Sequence, residues 1–312
     1  MIKNYLSLVK FSHTIFALPF ALIGFFLGIK SPTGILPAQS NLNMRIGWGY
    51  DITNFVIWKI IILKFLLVLL CMITARSAAM AFNRYLDAQY DAKNPRTAVR
   101  EIPAGIIKPA NALSFVIINC LLFVTATFFI NSLCFYLSPV ALFVILFYSY
   151  TKRFTALCHL VLGAGLSLAP IGAYIAVTNQ FAILPIIFSF TVLFWVSGFD
   201  IIYALQDEGF DAANQLHSIP VALGKVKALR LSACLHILSA SCVLFAGFYG
   251  AFGLWYWIGA AFFSALLIYQ HLLVKPNDLS KVNMAFFTTN GIASVVFAVF
   301  VLLDVLFKIG EK

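Results

Sequence analysis

Charge is scarce in this chain: Asp, Glu, Lys and Arg make up 10% of its 312 residues, whereas 62% are hydrophobic. An ordinary soluble domain carries about 25% charged residues, so the solvent for most of this surface is lipid. Lipid offers no partner to bare backbone groups, which restricts spanning segments to helices or closed barrels, and long unbroken apolar runs suit helices. Cysteine and histidine are also few. Cys71, Cys120, Cys134, Cys158, Cys234 and Cys242 show no metal-ligand spacing; they lie in or beside apolar runs, where a thiol packs as a small hydrophobe. His13, His159, His217, His236 and His271 form no metal pattern either, which excludes a soft-ligand site of the zinc type.

The apolar runs predict spans near residues 14–29, 58–82, 112–130, 133–150, 157–177, 182–203, 229–249, 252–272 and 285–307. The expected fold is all-α, a single domain over residues 1–312 made of a polytopic bundle of nine transmembrane helices. The third and fourth spans are separated only around Asn131 and Ser132. The first, preceded by Lys3 and Lys10, reads as a span and not a cleaved leader, because no small-residue cleavage site follows it. Residues 30–57, with Pro32, Pro37, Gly47 and Gly49, read as an external loop.

Positive charge orients the bundle. Lys3 and Lys10, the group Arg84, Lys93, Arg96, Arg100 and Lys108, the pair Lys152 and Arg153, the group Lys225, Lys227 and Arg230, and the pair Lys275 and Lys281 all fall at the amino terminus or in even-numbered turns. Those turns are expected to be cytoplasmic, with the carboxyl terminus outside because nine is odd. The net charge of +10 mostly reflects this asymmetry and gives no reason to expect a nucleic-acid partner.

Acids number only eleven, and seven of them, Asp87, Asp91, Glu101, Asp200, Asp207, Glu208 and Asp211, fall in two short stretches. NRYLDAQYD (83–91) is echoed by YALQDEGFD (203–211). Each follows a long apolar run and leads into a turn containing Ile-Pro, at Ile102 and Ile219. The two runs are separated by an even number of crossings, so both stretches emerge on one side of the membrane and can face one another.

Residues four apart share a helix face, which aligns Asn83, Asp87 and Asp91, and separately Asp200, Tyr203, Asp207 and Asp211. Carboxylates so crowded repel, and near lipid they are costly unless a cation neutralises them. Hard oxygen ligands point to Mg²⁺, which bridges one or two carboxylates to phosphate oxygens. Arg96 and Arg100 follow the first stretch, and Lys152 and Arg153 close the fourth run on the same side. Such donors suit a diphosphate, whose charge grows as it leaves. The plainer reading of these four cations is interfacial anchoring by snorkelling.

Those residues carry a resemblance. NRYLDAQYDAKNPRT with VREIPAG, and DIIYALQDEGFDAANQLHSIPVALG, resemble the paired NxxxDxxxD and DxxYxxxDxxxD signatures of the UbiA family of intramembrane aromatic prenyltransferases. RSAAMAFN, YTKRFT and LGAGLSLAPIGAYIAVT extend the match over most of the chain. The resemblance implies nine helices around a central cavity, and Mg²⁺ and the diphosphate of a polyprenyl donor bound by Asn83, Asp87, Asp91, Asp207 and Asp211. It implies electrophilic prenylation of an aromatic ring, which attacks an allylic cation through the carbon beside its hydroxyl. KFSHTIFALPFAL, NPRT and LHSIP resemble the branch acting on 4-hydroxybenzoate and its relatives acting on dihydroxynaphthoate in menaquinone synthesis. A bacterial cytoplasmic membrane with a cytoplasm-facing site is the location this implies. Gln215 departs from the pattern, standing where many members have glycine.

Arg76, Asp200 and Tyr203 are the candidates for binding the acceptor. Arg76 lies seven residues before Asn83, on nearly the same face; it can hold the acceptor carboxylate or the diphosphate, or it can pair with a motif acid. His13 and His217 are further candidates for touching the acceptor. A secondary transporter coupling ions through its acidic helix ends is the rival reading, disfavoured because both acid clusters lie at helix ends and not mid-span.

Overall fold

The computed structural model describes residues 2–9, 16–32 and 52–307, whose regular elements are all helices, with no β-strand among them. A short helix α1 (Ile2–Leu8) precedes α2 (Leu18–Lys30), the long α3 (Ile52–Leu86), the short α4 (Ala88–Lys93), α5 (Pro109–Ile130) and α6 (Ser132–Thr151). The second half runs through α7 (Cys158–Thr178), α8 (Ile183–Ala204), the short α9 (Glu208–Ala213), α10 (Ile219–Tyr249), α11 (Leu254–Leu273) and α12 (Asn290–Phe307). Eight helices among the described residues are long and apolar enough to cross a membrane. The remaining expected span is α2, whose 13 residues rise about 20 Å at ~1.5 Å each. His13, Lys10 and most of the predicted 30–57 loop lie outside the described residues.

The expected pair at 112–130 and 133–150 are two helices. Asn131 breaks the ladder in an extended conformation (φ −171°, ψ 168°), and its side chain accepts from the Cys134 N–H at 2.8 Å to cap α6. Its amide also donates to the Ile175 carbonyl at 2.8 Å, while Lys64 Nζ donates to the Ala176 carbonyl at 2.8 Å. The orphan carbonyls at the carboxyl end of α7 are satisfied by these side chains, as burial in an apolar solvent demands. The predicted 229–249 span starts ten residues earlier, at Ile219, where Ser218 caps the helix and Gly224, at φ 73°, interrupts it.

Apolar burial drives little helix association in lipid, so close backbone approach and interhelical hydrogen bonds carry the packing. Gly24 of α2 lies so near α7 that a Cβ there would sit 2.0 Å from the Pro170 carbonyl oxygen. Ser232 and Ser239 of α10 donate to the Gly198 and Thr191 carbonyls of α8 at 2.7 and 2.9 Å. The aromatic core gathers Phe20, Trp195, Phe199, Phe263 and Phe297. Within it the fully buried Asn290 accepts from Trp195 Nε1 at 2.8 Å and Gln270 Nε2 at 2.7 Å. Its own amide donates to the Phe286 carbonyl at 2.9 Å, in the widened π-helical turn Met284–Thr289 that leads into α12. Asp304, an acid outside both motifs, accepts from the Gly253 and Tyr256 N–H groups and so caps α11.

Candidate active site

Both acidic stretches are built alike. The long helix ends inside its motif, α3 at Leu86 and α8 at Ala204, and a separate six-residue helix follows, α4 or α9. The first aspartate of each motif sits at the break, Asp87 at φ −86°, ψ 5° and Asp207 at φ −103°, ψ 1°. Neither of the two expected stripes therefore lies on one unbroken helix. The stacking survives at the first motif, because the Asp87 N–H donates to the Asn83 carbonyl at 2.9 Å and the Asp91 N–H to the Asp87 carbonyl at 2.8 Å. The second aspartate of each motif is turned inward: Asp91 is 6% exposed and Asp211 1%.

Each motif acid meets one of the four candidate cations. Arg153 Nη2 donates to Asp87 Oδ1 at 2.8 Å, and Arg100 Nη1 to Asp91 Oδ1 at 2.6 Å. Lys152 Nζ lies 2.8 Å from Asp211 Oδ1. Arg96 forks onto Asp207, with Nε to Oδ1 at 3.1 Å and Nη2 to Oδ2, and its Nη1 donates to the Tyr203 hydroxyl at 3.0 Å. Arg96 belongs to the first stretch and Asp207 to the second, so this fork ties the motifs together. Asn83 Nδ2 donates to Asp87 Oδ2 at 3.2 Å.

Burial is the largest influence on Asp87 and raises its pKa, with Arg153 and Lys152 pulling the other way. For Lys152, burial lowers the pKa but Asp211, helped by Asp207 and Asp87, more than offsets it, and the net is upward. Arg96 behaves likewise: burial is outweighed by Asp207 and Tyr203.

Below the motifs lies a cavity of about 490 Å³ whose polar end is lined by Arg76, Asn83, Arg84, Arg100, Asp200 and Tyr203. Two of these arginines have a buried nitrogen with no hydrogen-bond partner, Nε of Arg76 and Nη1 of Arg84. Arg76 makes no ion pair with a motif acid among the described residues, which removes one of its three expected roles. Asp200 faces His159: the Ile219 N–H donates to His159 Nε2 at 3.3 Å, so the ring proton is on Nδ1, which donates to Asp200 Oδ2 at 2.7 Å. His217 is exposed, and its N–H donates to the Lys152 carbonyl at 2.7 Å. Gln215 adopts φ 54°, the left-handed conformation that glycine takes without cost.

Sequence reading left Arg84 as a topology charge and His159 as a residue without pattern. Arg84 is 3% exposed and opens on the cavity. Its position beside Asn83 was the available signal; for His159, 41 residues from Asp200, there was none.

No three carboxylate, imidazole or thiol groups among the described residues converge as a metal cage. The donor set still fits Mg²⁺ carried on a phosphate. Oδ2 of both Asp91 and Asp211 is buried without a hydrogen-bond partner, and Mg²⁺ takes only one or two carboxylates when phosphate oxygens and water complete its shell.

The chain matches the model of the UbiA prenyltransferase family over residues 54–292. It is 30% identical over 240 residues to a 4-hydroxybenzoate octaprenyltransferase from Nitrosomonas europaea, covering 77% of this chain and 82% of that one. Among solved structures, a UbiA homolog from Aeropyrum pernix K1 superposes with a TM-score of 0.73 at 23% identity, over 95% of this chain and 98% of its own. A UbiA homolog from Archaeoglobus fulgidus bound to GPP and Mg²⁺ superposes with a TM-score of 0.66 at 19% identity, over 97% and 99%.

Proposed function

Because the chain belongs to the UbiA prenyltransferase family, we propose that this membrane enzyme transfers a polyprenyl group from its diphosphate to an aromatic hydroxy acid of the 4-hydroxybenzoate or dihydroxynaphthoate type, in ubiquinone or menaquinone synthesis. Family membership replaces the transporter reading. The observation that carries the proposal is the join between an apolar cavity, an arginine-lined polar end and two acidic motifs tied together by Arg96 and Asp207. The named relative supports the class of acceptor, and the homolog bound to GPP and Mg²⁺ supports the donor and the metal.

Asn83, Asp87, Asp91, Asp207 and Asp211 would hold Mg²⁺, whose chemistry is to draw charge onto the leaving diphosphate. Arg96, Arg100, Lys152 and Arg153 exchange their carboxylate partners for phosphate oxygens and stabilise the same growing charge. The bond between the prenyl carbon and its oxygen breaks, and the electron pair leaves with the diphosphate. Arg76 holds the acceptor carboxylate. Asp200, fixed by His159, with Tyr203 beside it, accepts a hydrogen bond from the acceptor hydroxyl and so enriches the ring carbon next to it; that carbon attacks the allylic cation, and its proton passes to the free diphosphate, which restores the aromatic ring. No protein nucleophile is required.

The basic turns support a bacterial cytoplasmic membrane, with both motifs facing the cytoplasm. The deciding assay offers purified protein a polyprenyl diphosphate, Mg²⁺ and both acceptors in competition, with products read by mass spectrometry. One prenylated acid with free diphosphate is expected. A donor left unconsumed with either acceptor overturns the proposal.

A further inference from the structure

The backbone is irregular where the last span approaches Tyr203. Met284–Thr289 is a π-helical turn, and such a turn holds about one residue more than an α-helical one, which swings the side chains before it by about 100° relative to α12. Side chains hold the widening. The fully buried Asn290 donates to the Ala285 carbonyl at 3.1 Å and the Phe286 carbonyl at 2.9 Å, and Thr289 Oγ1 donates to the Met284 carbonyl at 3.2 Å. Asn290 Oδ1 also accepts from Trp195 of α8 and Gln270 of α11. The turn is thereby fastened to both helices in apolar surroundings, where no bulk water competes for these bonds.

The π turn sets the Phe286 ring. That ring lies against Tyr203 with centroids 4.2 Å apart and planes at 32°, and it meets Phe199 edge-on at 5.3 Å and 80°. Phe199 and Tyr203 flank Asp200 on one turn of α8, and all three line the cavity together with Phe286. A ring needed only for packing could sit on a regular helix; here an irregular backbone is kept to bring it to the cavity wall next to Asp200. We infer that Phe286 is an acceptor-binding residue: the acceptor's aromatic ring packs against it while Asp200 accepts from the acceptor hydroxyl, and its bulk sets how large a ring fits. The inference rests on the prenyltransferase reading above. The occupant is the acceptor and not the prenyl tail because this wall adjoins Asp200 and Tyr203, polar groups suited to a hydroxy acid.

The test uses purified protein in lipid nanodiscs with a polyprenyl diphosphate, Mg²⁺ and either 4-hydroxybenzoate or a dihydroxynaphthoate. Phe286→Leu keeps an apolar side chain and loses the ring; it is expected to raise the acceptor KM by about three- to tenfold, the range of one aromatic pair, with the donor KM unchanged. Phe286→Ala opens the wall and is expected to raise the ratio of kcat/KM for the two-ring acid over the one-ring acid by about tenfold, the scale on which apolar pockets discriminate size. Unfolding midpoints establish that the variants are folded. Independently of any variant, 4-hydroxybenzoate carrying an azide on its ring should photolabel the wild-type peptide that contains Phe286. An unchanged acceptor KM and ratio in folded variants, or labelling of other helices only, would overturn the assignment. Wild-type protein that transfers the prenyl group to neither acid would instead sink the reading on which it rests.

Discussion

Lys152 and Arg153 are neighbours in sequence and reach opposite motifs: Lys152 Nζ lies 2.8 Å from Asp211 Oδ1, and Arg153 Nη2 2.8 Å from Asp87 Oδ1. The turn between α6 and α7 is thereby pinned between the two acidic stretches. Both cations stand where a diphosphate would exchange with carboxylates, so Lys152→Ala and Arg153→Ala are expected to raise the KM for the prenyl donor and lower kcat, with little change in the acceptor KM. Steady-state kinetics with each substrate varied in turn checks this. A change confined to the acceptor KM would remove the pair from the donor site.

Arg84 has a sharper expectation because it is buried, lines the cavity and keeps Nη1 without a hydrogen-bond partner. Arg84→Met keeps the apolar stem and removes a charged donor that would meet substrate. Loss of one charged hydrogen bond, about 2 kcal/mol, corresponds to about a thirtyfold fall in kcat/KM. Arg84→Lys should recover part of it, since charge returns without the planar fork. Equal thermal stability with unchanged kinetics in Arg84→Met would reduce the residue to a topology charge.

Gln215 holds φ 54° in the turn after Asp211. A residue with a Cβ is strained there, and glycine is not. Gln215→Gly is expected to be neutral or to stabilise the protein by up to about 1 kcal/mol, since the strain relieved exceeds the extra freedom given to the unfolded chain. Thermal unfolding in detergent measures it, and a clear drop in midpoint would show that the Gln215 side chain makes a contact worth more than the strain.

The spacing of apolar runs made the helical class legible, because lipid forces every spanning backbone to satisfy itself. Four-residue spacing likewise exposed both aspartate pairs, since a helix converts it into one face. Three things were hidden. The break at Asp87 has no glycine or proline beside it, and the one at Asp207 has only Gly209, inside α9. The partners of Lys152 and Arg153 depend on the turn between α6 and α7, where a one-residue step switches from Asp211 to Asp87. His159 meets Asp200 only because α7 and α8 pack closely, and no local pattern reports that.

Orientation is open to a direct measurement. Asn131 separates α5 from α6, so the count of crossings turns on α2, the 13-residue helix. If α2 spans, basic turns and motifs lie in the cytoplasm and the carboxyl terminus lies outside. A carboxyl-terminal reporter that functions only outside the cytoplasm should be active, while one fused after Lys152 should be silent. With that pattern holding, an amino-terminal tag found outside the cytoplasm would mean that α2 enters the membrane without crossing it.

The fork from Arg96 to Asp207 makes the two motifs one unit, and that has a kinetic consequence. Asp87→Asn and Asp207→Asn each keep volume and polarity while removing a negative charge, and each is expected to lower turnover by about a hundredfold or more, the scale for losing one group that stabilises developing charge. If both acids act on a single Mg²⁺-diphosphate, a site missing either one already fails to hold the leaving group, and the second substitution has little left to remove. The double variant should then be far less impaired than the product of the single losses, as for groups that work together. Residual rates are compared at saturating Mg²⁺ in protein shown to be folded by its unfolding midpoint. Cleanly multiplicative losses would mean that the motifs serve separate events, and the link through Arg96 would then be structural only.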